Sequence, residues 1–358
     1  MNSLNTLITG TGSYIPSLVI KNRDFIGHDF YNKDNTAIDN PGESVVKKFL
    51  DITGIFERRW IDDNLTCSDI AAISATKAIE DAGIDPETID HIIIAHNYGD
   101  IIKGTIQSDI VPCLAARVKQ ALKIKNPACI AYDIMFGCPG WIQGLIQADS
   151  FIKSGLAKRC LVIGAETLSR VVDKHDRDAM IFADGAGAAV VEVREESYKR
   201  GFLSSATQTD SIEEAYYIYM GKSNQPESDP KVRYIKMDGR KVYEYSLNKV
   251  PLAIKAALDK TEIPVEQVKK IIIHQANEKM DEAIIKRFYK LYGMNQNVSE
   301  VMPMNIHELG NSSVATVPTL YDMVLKNKLK NHTIQKDDII IFASVGAGMN
   351  INALVYKV

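Results

Sequence analysis

The sequence predicts a pseudo-symmetric α/β protein made of two similar halves, residues 1–195 and 196–358. Two pairs of segments recur at nearly the same offset, about half the chain length, and chance rarely gives two such pairs. Uninterrupted apolar runs in both copies indicate strands that are covered on both faces. Apolar residues at helical spacing indicate the helices between those strands. The repeat, the buried strands and the intervening helices together predict the fold class.

The first repeated segment reads as a helix, a proline-containing turn and a buried strand. Its copies are "KAIEDAGIDPETIDHIIIAHN" from Lys77 and "KAALDKTEIPVEQVKKIIIHQ" from Lys255, in which Ile84 and Ile263 lie 179 residues apart. One copy follows the isoleucines with alanine and the other with histidine. Function often lies where two equivalent halves differ, which directs attention to that histidine.

The second repeated segment is a buried strand. Its copies are "RCLVIGAE" from Arg159 and "DDIIIFAS" from Asp337, at an offset of 178 residues. Each is followed by Gly-Ala-Gly and another apolar run, which predicts a glycine turn and a closing strand. The polar segments 204–240 and 27–45 interrupt this pattern and predict surface excursions.

Composition and charge exclude several classes of protein. The chain has 358 residues and a formal net charge of −3, so no basic field points to nucleic acid or to an anionic membrane surface. The N-terminal sequence does not resemble a signal peptide, and no apolar stretch approaches the roughly 20 residues that span a bilayer. Five scattered cysteines without a Cys-x-x-Cys pair argue against a disulfide scaffold or zinc site. We therefore expect a cytoplasmic protein without a bound metal.

Cys138 is the candidate nucleophile. It precedes Pro139 and Gly140, after which apolar residues recur on one helical face until Lys153. A thiol at a helix N-terminus gains from the exposed N–H groups and the helix dipole, which predicts a lowered pKa. A thiolate suits the transfer of an acyl group through a thioester. A buried structural cysteine is the alternative, and Cys113 has a similar proline neighbour at a helix start.

Two polar residues are candidate hydrogen-bond donors. His274 ends the run "IIIHQAN", and by itself a satisfied core histidine would explain it equally well. Asn311 lies in "GNSSVATVP", which is either simple turn chemistry or a helix start that extends to Pro318. "SVGAGMN" at 344–350 predicts a glycine turn whose backbone N–H groups could form an oxyanion hole.

In this order, Cys138, "HQAN", "GNSSVATVP" and "GAG" resemble the β-ketoacyl-acyl carrier protein synthase III family of the thiolase superfamily. "GTGSYIP", "TGIFERRW" and "DRDAMIFADGAGAAVV" also resemble that family, and the resemblance covers essentially the whole chain. It implies a thiolase-like fold in five α-β-α-β-α layers and a homodimer. It also implies an acyltransferase, or ketosynthase, of fatty acid or polyketide-type lipid metabolism.

The resemblance implies a role for each matching residue. Cys138 would carry the acyl group of an acyl-CoA or acyl-carrier protein, while His274 and Asn311 bind the malonyl thioester carbonyl during decarboxylation. The backbone N–H groups of Cys138 and Ala347 would hold the oxyanion, and Arg177 would contact CoA. Acyl-CoA and acyl carrier protein are substrates here, so no cofactor is expected.

Departures from the family pattern concern nucleotide contacts and carrier docking. The family's arginine in "RTGI" is Ile52 here, and "SVVKKFLD" replaces the segment that usually contains a tryptophan. Basic residues on one face of the helix after "HQAN" match an acidic carrier protein, although a solvated helix face is about equally good an interpretation. These residues are Lys279, Lys286 and Lys290.

Three other functions are weighed against decarboxylative condensation. A specialised ketosynthase could condense two acyl thioesters, or condense and cyclise to resorcinol- or quinolone-like products. A non-catalytic partner subunit is less favoured because all three reactive residues remain. A degradative thiolase would need a second reactive cysteine near the C-terminus, and no cysteine follows Cys160.

Overall fold

The computed structural model describes residues 3–358, so Met1 and Asn2, at the start of the predicted first half, lie outside the described residues. Up to residue 196, the strands and helices are β1 Ser3–Tyr14, β2 Leu18–Lys21, α1 Gly42–Thr53, β3 Glu57–Trp60, α2 Cys67–Ala82, β4 His91–Ala95, α3 Leu114–Ala121, β5 Ile130–Ile134, α4 Gly140–Lys153, β6 Arg159–Thr167 and β7 Asp184–Glu196. The remainder are β8 Gly201–Thr209, β9 Ile218–Gly221, β10 Tyr234–Met237, α5 Gly239–Leu258, β11 Val268–Ile273, α6 Glu278–Lys290, α7 Val298–Val301, α8 Ile306–Leu309, α9 Thr316–Leu325, β12 Ile339–Gly346 and β13 Asn350–Lys357.

Two sheets that share an order of four strands, to which the first sheet adds β5, are the structural counterpart of the sequence repeat. The first sheet has the order β1-β7-β6-β4-β5, and the second has the order β8-β13-β12-β11. β4 runs parallel to β6 as β11 runs parallel to β12, while β7 and β13 are antiparallel to their neighbours. The repeated apolar runs therefore form equivalent strands, and the predicted α/β fold is confirmed.

Three apolar cores separate five layers. One core packs α2 and α3 against the first sheet, and another packs α5 and α6 against the second sheet. Between the sheets lie α4 and α9, where Trp141 and Leu320 share a core with Ile93 and Phe342 from the two sheets. Because both central helices bury apolar residues toward both sheets, the layers follow the predicted α-β-α-β-α order.

The two predicted excursions are only partly at the surface. Residues 204–209 belong to β8, which pairs with β13, so the prediction was wrong there. Most side chains of this edge strand are half-exposed, which explains why polar residues occur there. Within 27–45, Phe30 and Val45 are buried in a fourth apolar cluster. The division between residues 195 and 196 stays a prediction; β7 ends at Glu196.

The glycines of "GTGSYIP" allow close packing of a strand on a helix. Gly12 lies in β1, and a Cβ atom there would stand 2.4 Å from the Ser74 carbonyl oxygen in α2. Only glycine permits such an approach without a shift of the backbone. The motif is therefore a packing device between β1 and α2.

Candidate active site

Cys138 lies where the sequence places it, immediately before a central helix. Pro139 occupies the N-cap of α4, and the Gly140 N–H donates to the Gly137 carbonyl at 3.0 Å. Gly137 adopts φ +65°, in the left-handed region that favours glycine. The chain thus turns sharply after β5 and presents the cysteine between the two sheets.

The predicted direction of the Cys138 pKa shift was wrong. Burial raises the pKa of the thiol to about 11, and Glu166 raises it further through its charge. A hydrogen bond from Ser313 Oγ, 3.3 Å from Cys138 Sγ, acts in the opposite direction. Loss of hydration outweighs the helix terminus because a buried thiolate gives up its contacts with water.

His274 leaves the second sheet at the end of β11. Its backbone N–H donates to the Ala343 carbonyl at 2.8 Å, and its side chain is 4% exposed. Burial lowers the pKa of the imidazole to about 4, so the ring is neutral near pH 7. Nδ1 lies 2.7 Å from Thr316 Oγ1, which fixes the orientation of the ring.

Asn311 is held on both sides by the segment before β7. Its N–H donates to the Ile181 carbonyl at 3.0 Å, and its carbonyl accepts from the Ala183 N–H at 2.8 Å. The side-chain Oδ1 accepts from the Ser313 N–H at 2.8 Å, which directs the amide Nδ2 away from that bond. The alternative of a helix from Asn311 to Pro318 is not observed: α9 begins at Thr316 and contains Pro318 in its first turn, where no proline N–H is required.

Ser313, which the sequence interpretation missed, contacts all three predicted site residues directly or through one hydroxyl. Its Oγ donates to Cys138, its N–H donates to Asn311, and its carbonyl accepts from Thr316 Oγ1, which contacts His274. Ser313 is 3% exposed and adopts φ +53°, a rare conformation for a non-glycine residue. The motif "GNSSVATVP" contains both Ser313 and Thr316, but its pattern also fits an ordinary turn.

The Gly-Ala-Gly turn after β12 packs directly against the cysteine turn. A Cβ atom on Gly346 would stand 2.4 Å from the Cys138 backbone nitrogen, and one on Gly137 would stand 2.8 Å from the Ala347 nitrogen. Ala347 is not among the residues with positive φ. The two backbone nitrogens predicted for the oxyanion hole therefore belong to segments in contact, without strain at the alanine.

A cleft of about 490 Å³ reaches Asn311 from the surface. Arg177 lines this cleft, as do residues of α1 that include Lys48 and Ile52. The large apolar and aromatic side chains of the lining are Ile38, Val45, Phe49, Ile181, Met237, Val242, Tyr243 and Met280. Apolar side chains beside a few charged ones suit a long, weakly polar substrate arm that carries a charged group.

The three predicted docking lysines lie exposed on α6, whose first turn borders the same cleft. Lys279 Nζ donates to the Asp51 carbonyl near the end of α1, and Lys286 pairs with Glu282 at 2.9 Å. Lys290 ends the helix. All three lysines are thus exposed on one helix, as predicted. Their role in docking stays a prediction.

Within residues 3–358, the cysteines form no disulfide, and the cysteine and acidic side chains form no metal site. All five cysteines are free thiols. Over the same residues, no group of three or more His, Cys, Asp or Glu side chains is placed to hold a metal ion. No helix in this part of the chain is both long and apolar enough to cross a membrane.

Comparison with known proteins identifies the family. The family model described as 3-oxoacyl-[acyl-carrier-protein (ACP)] synthase III matches residues 132–211, and its C-terminal counterpart matches residues 258–358. The β-ketoacyl-[acyl-carrier-protein] synthase III of Caldanaerobacter subterraneus is 33% identical, and the match covers 98% of this chain and 97% of that protein. The chain belongs to the 3-oxoacyl-[acyl-carrier-protein] synthase III family.

Other members of the synthase III family agree over the full length. The corresponding enzyme of Brucella melitensis is 29% identical, with 99% of each chain covered. The crystal structure of the synthase III from Aquifex aeolicus matches with a TM-score of 0.80 and 29% identity, covering 99% of this chain and 100% of that one. The predicted family and thiolase-like fold are confirmed, as is the prediction of an acyltransferase-type condensing enzyme.

Proposed function

We propose that this synthase III family member joins an acyl thioester to malonyl-acyl carrier protein by decarboxylative Claisen condensation, in fatty acid synthesis or a related pathway. The observation that carries this proposal is the convergence of Cys138, His274 and Asn311 on Ser313. One nucleophile and two donors are the groups that the reaction requires.

In the first step, Cys138 Sγ attacks the thioester carbonyl of an acyl-CoA or acyl-carrier protein. The tetrahedral oxyanion is placed at the backbone N–H groups of Cys138 and Ala347, whose segments pack together. Collapse of this intermediate expels the carrier's thiol with the proton of the cysteine, leaving an acyl-cysteine. Charge stabilisation by fixed N–H donors is strongest in a site that excludes water.

In the second step, His274 Nε2 and Asn311 Nδ2 donate to the malonyl thioester carbonyl. As CO₂ leaves, its bonding electrons enter the thioester as an enolate, whose carbon attacks the acyl carbonyl carbon on Cys138. The tetrahedral intermediate then collapses, breaking the C–S bond and expelling the Cys138 thiolate, which takes a proton from water. The single hydrogen of the Thr316 hydroxyl lies within reach of both the Ser313 carbonyl, at 2.9 Å, and His274 Nδ1, at 2.7 Å. When the hydroxyl turns to Nδ1, the neutral imidazole carries its own hydrogen on Nε2 and donates from there. The lowered pKa supports a neutral histidine throughout, so the site needs no base for this step.

The cleft supports substrates delivered on a long arm. Its apolar side chains suit the pantetheine chain that CoA and acyl carrier protein share, and we assign Arg177, which lines the same cleft, to a phosphate of CoA. The lysines of α6 provide the surface that we assign to the acidic carrier protein. The substrates themselves supply the reactive groups, and the proposal includes no cofactor or metal.

A homodimer is part of the same proposal. β5 lies at the edge of the first sheet, and an edge strand presents unpaired backbone groups that another strand can use. Nearby apolar side chains are unusually exposed, with Val111 at 84% and Met135 at 69%. A second copy of the chain would cover them, and light scattering at micromolar concentration measures the mass of the assembly.

The free cysteines support a cytoplasmic location.

The test is a panel of acyl-CoA and acyl-carrier protein donors, read by intact mass and followed by addition of malonyl-carrier protein. We expect an acyl-enzyme at Cys138 and then a β-ketoacyl product with loss of CO₂. A cyclised product, or one formed from two acyl donors without malonyl-carrier protein, would replace this proposal with the specialised ketosynthase. No acyl-enzyme from any donor would refute both.

A further inference from the structure

A chain of hydrogen bonds reaches the cysteine sulfur from residues of the first half that the mechanism above does not use. The Glu166 carboxylate contacts Asn97, whose Nδ2 donates to Glu166 Oε2 at 2.6 Å. The same Nδ2 lies 3.1 Å from Ser313 Oγ, and Ser313 Oγ lies 3.3 Å from Cys138 Sγ. Glu166 is fully buried at the end of β6, and Asn97 follows β4.

The chemistry of each group fixes the direction in which hydrogens are donated along this series of hydrogen bonds. An amide nitrogen carries two hydrogens and accepts none, so Asn97 can donate one to Glu166 and the other to Ser313. The Ser313 oxygen then accepts from Asn97, and its single hydrogen is left for the sulfur. Glu166 also accepts from the Asn97 backbone N–H at 3.2 Å, which ties the whole residue to β6.

We propose that Asn97, anchored by Glu166, is a positioning residue for the nucleophile, because it turns the Ser313 hydroxyl toward Cys138 Sγ and so favours the thiolate. The hydrogen bonds join the two halves: Glu166 lies at the end of β6 and Asn97 follows β4, both in the first sheet, while Ser313 precedes α9. The inference rests on the proposed role of Cys138, but its test needs no acyl substrate. It can therefore fail while the proposed condensation stands, and the reverse also holds.

Other titratable groups around the sulfur are unchanged in the variants that test this proposal, apart from Glu166 itself. Tyr98 lies near both Cys138 and Glu166, and its pKa is raised chiefly by burial. His274 reaches the same serine through Thr316. Burial raises the pKa of Glu166 to about 7, yet its protonated form still offers one carbonyl oxygen to Asn97. The anchor therefore persists on both sides of neutrality.

The experiment measures the rate of Cys138 alkylation by iodoacetamide between pH 7 and 10.5, read by peptide mass mapping. We expect Asn97→Ala to shift the rate profile upward by roughly one pH unit, about tenfold slower alkylation at pH 8, since a hydrogen bond to a charged acceptor is lost or weakened. Ser313→Ala should do the same. In the Ser313→Ala background, Asn97→Ala should add no further shift, because its effect passes through that hydroxyl.

A second pair of variants tests the anchor without touching Asn97. Glu166→Gln keeps an acceptor oxygen and should restore most of the alkylation rate that Glu166→Leu loses. Thermal unfolding of each variant identifies any that do not fold, and the Glu166 pair decides the question if Asn97→Ala is among them. An unchanged profile in folded Asn97→Ala, an additive shift in the Ser313→Ala background, or equal profiles for the two Glu166 variants would overturn the proposal.

Discussion

The ends of β4 and β11 are equivalent by repeat and by sheet order, yet the chain uses them differently. β4 ends on Ala95, where a Cβ atom on Gly140 would stand only 2.8 Å from the Ala95 Cβ atom. A small residue is required there because α4 begins against the strand. β11 is instead followed by His274, which carries a neutral imidazole into the site.

In the proposed mechanism, the two halves have different tasks: one carries the acyl group on Cys138, and the other binds the malonyl thioester during decarboxylation. The first half contributes Cys138, the proposed nucleophile before α4, together with Asn97 and Glu166. The second half contributes His274 and Asn311. Ser313, before α9, contacts Asn311 in its own half and Cys138 in the other half. Equivalent strand ends of the duplicated fold thus carry different residues, Ala95 at the end of β4 and His274 after β11.

Loss of the first-half nucleophile should have the largest effect. We expect Cys138→Ala to form no acyl-enzyme and to lose condensation by at least about 10³-fold, because no other thiol can carry the acyl group there. Intact mass after incubation with an acyl donor measures the acyl-enzyme. Cys113→Ala is the matched control, since Cys113 also precedes a helix, and it should acylate normally. Acylation of Cys138→Ala at an equal rate would contradict the assignment.

Thr316→Val should impair the second half alone. The valine is similar in shape but offers no hydroxyl to His274 Nδ1, so the imidazole loses the bond that fixes its hydrogen on Nε2. We expect condensation to fall about tenfold to hundredfold while acyl-enzyme formation is unchanged. Thr316→Ser keeps the hydroxyl and should retain most of the activity. Equal losses in both variants would remove the tautomer explanation.

The two halves should also respond to pH in opposite directions. The pKa of His274 is lowered to about 4, so the unfolded chain binds a proton between pH 6.5 and 4 that the folded protein does not, and stability falls as pH falls. The pKa of Glu166 is raised to about 7, so the folded protein retains a proton from pH 4.5 to 7, and stability falls as pH rises.

Thermal unfolding at pH 5 and pH 8 measures this contrast. Relative to wild type, His274→Gln should gain stability at pH 5 compared with pH 8, and Glu166→Gln should gain at pH 8 compared with pH 5. Each difference should be about 2 kcal/mol, because both groups are buried. Differences of the same sign in both variants would contradict the burial of one group.

Charge reversal on α6 should have the smallest effect. Changing Lys279 and Lys286 to glutamate should raise the KM for malonyl-carrier protein by about three- to tenfold, since exposed charges act mainly on encounter and are screened by salt. Acylation of Cys138 from acyl-CoA should not change. Lys125→Glu, exposed just after α3, is the control. Unchanged carrier kinetics would leave α6 as a solvated helix face.

The sequence predicted what depends on local pattern and on the repeat. The apolar runs indicated the strands, and the glycine and proline positions placed Cys138 before α4. It did not predict Ser313, Asn97 or Glu166 as neighbours of the sulfur, because these contacts join residues 69 to 216 positions apart. The Cys138 pKa failed for a related reason, since burial depends on packing that no local motif records. The half-exposed strand β8 was mistaken for a loop because its outer residues are polar.

The central claim, that the halves perform separate steps, is tested most directly by following both steps in the same sample. His274→Ala and Asn311→Ala are mixed with an acyl donor, the acyl-enzyme is quantified by intact mass, and malonyl-carrier protein is then added. The account predicts normal acylation of Cys138 in both variants and a loss of β-ketoacyl product of about 10²-fold or more. Failure of either variant to form the acyl-enzyme, or normal product formation from it, would contradict the account.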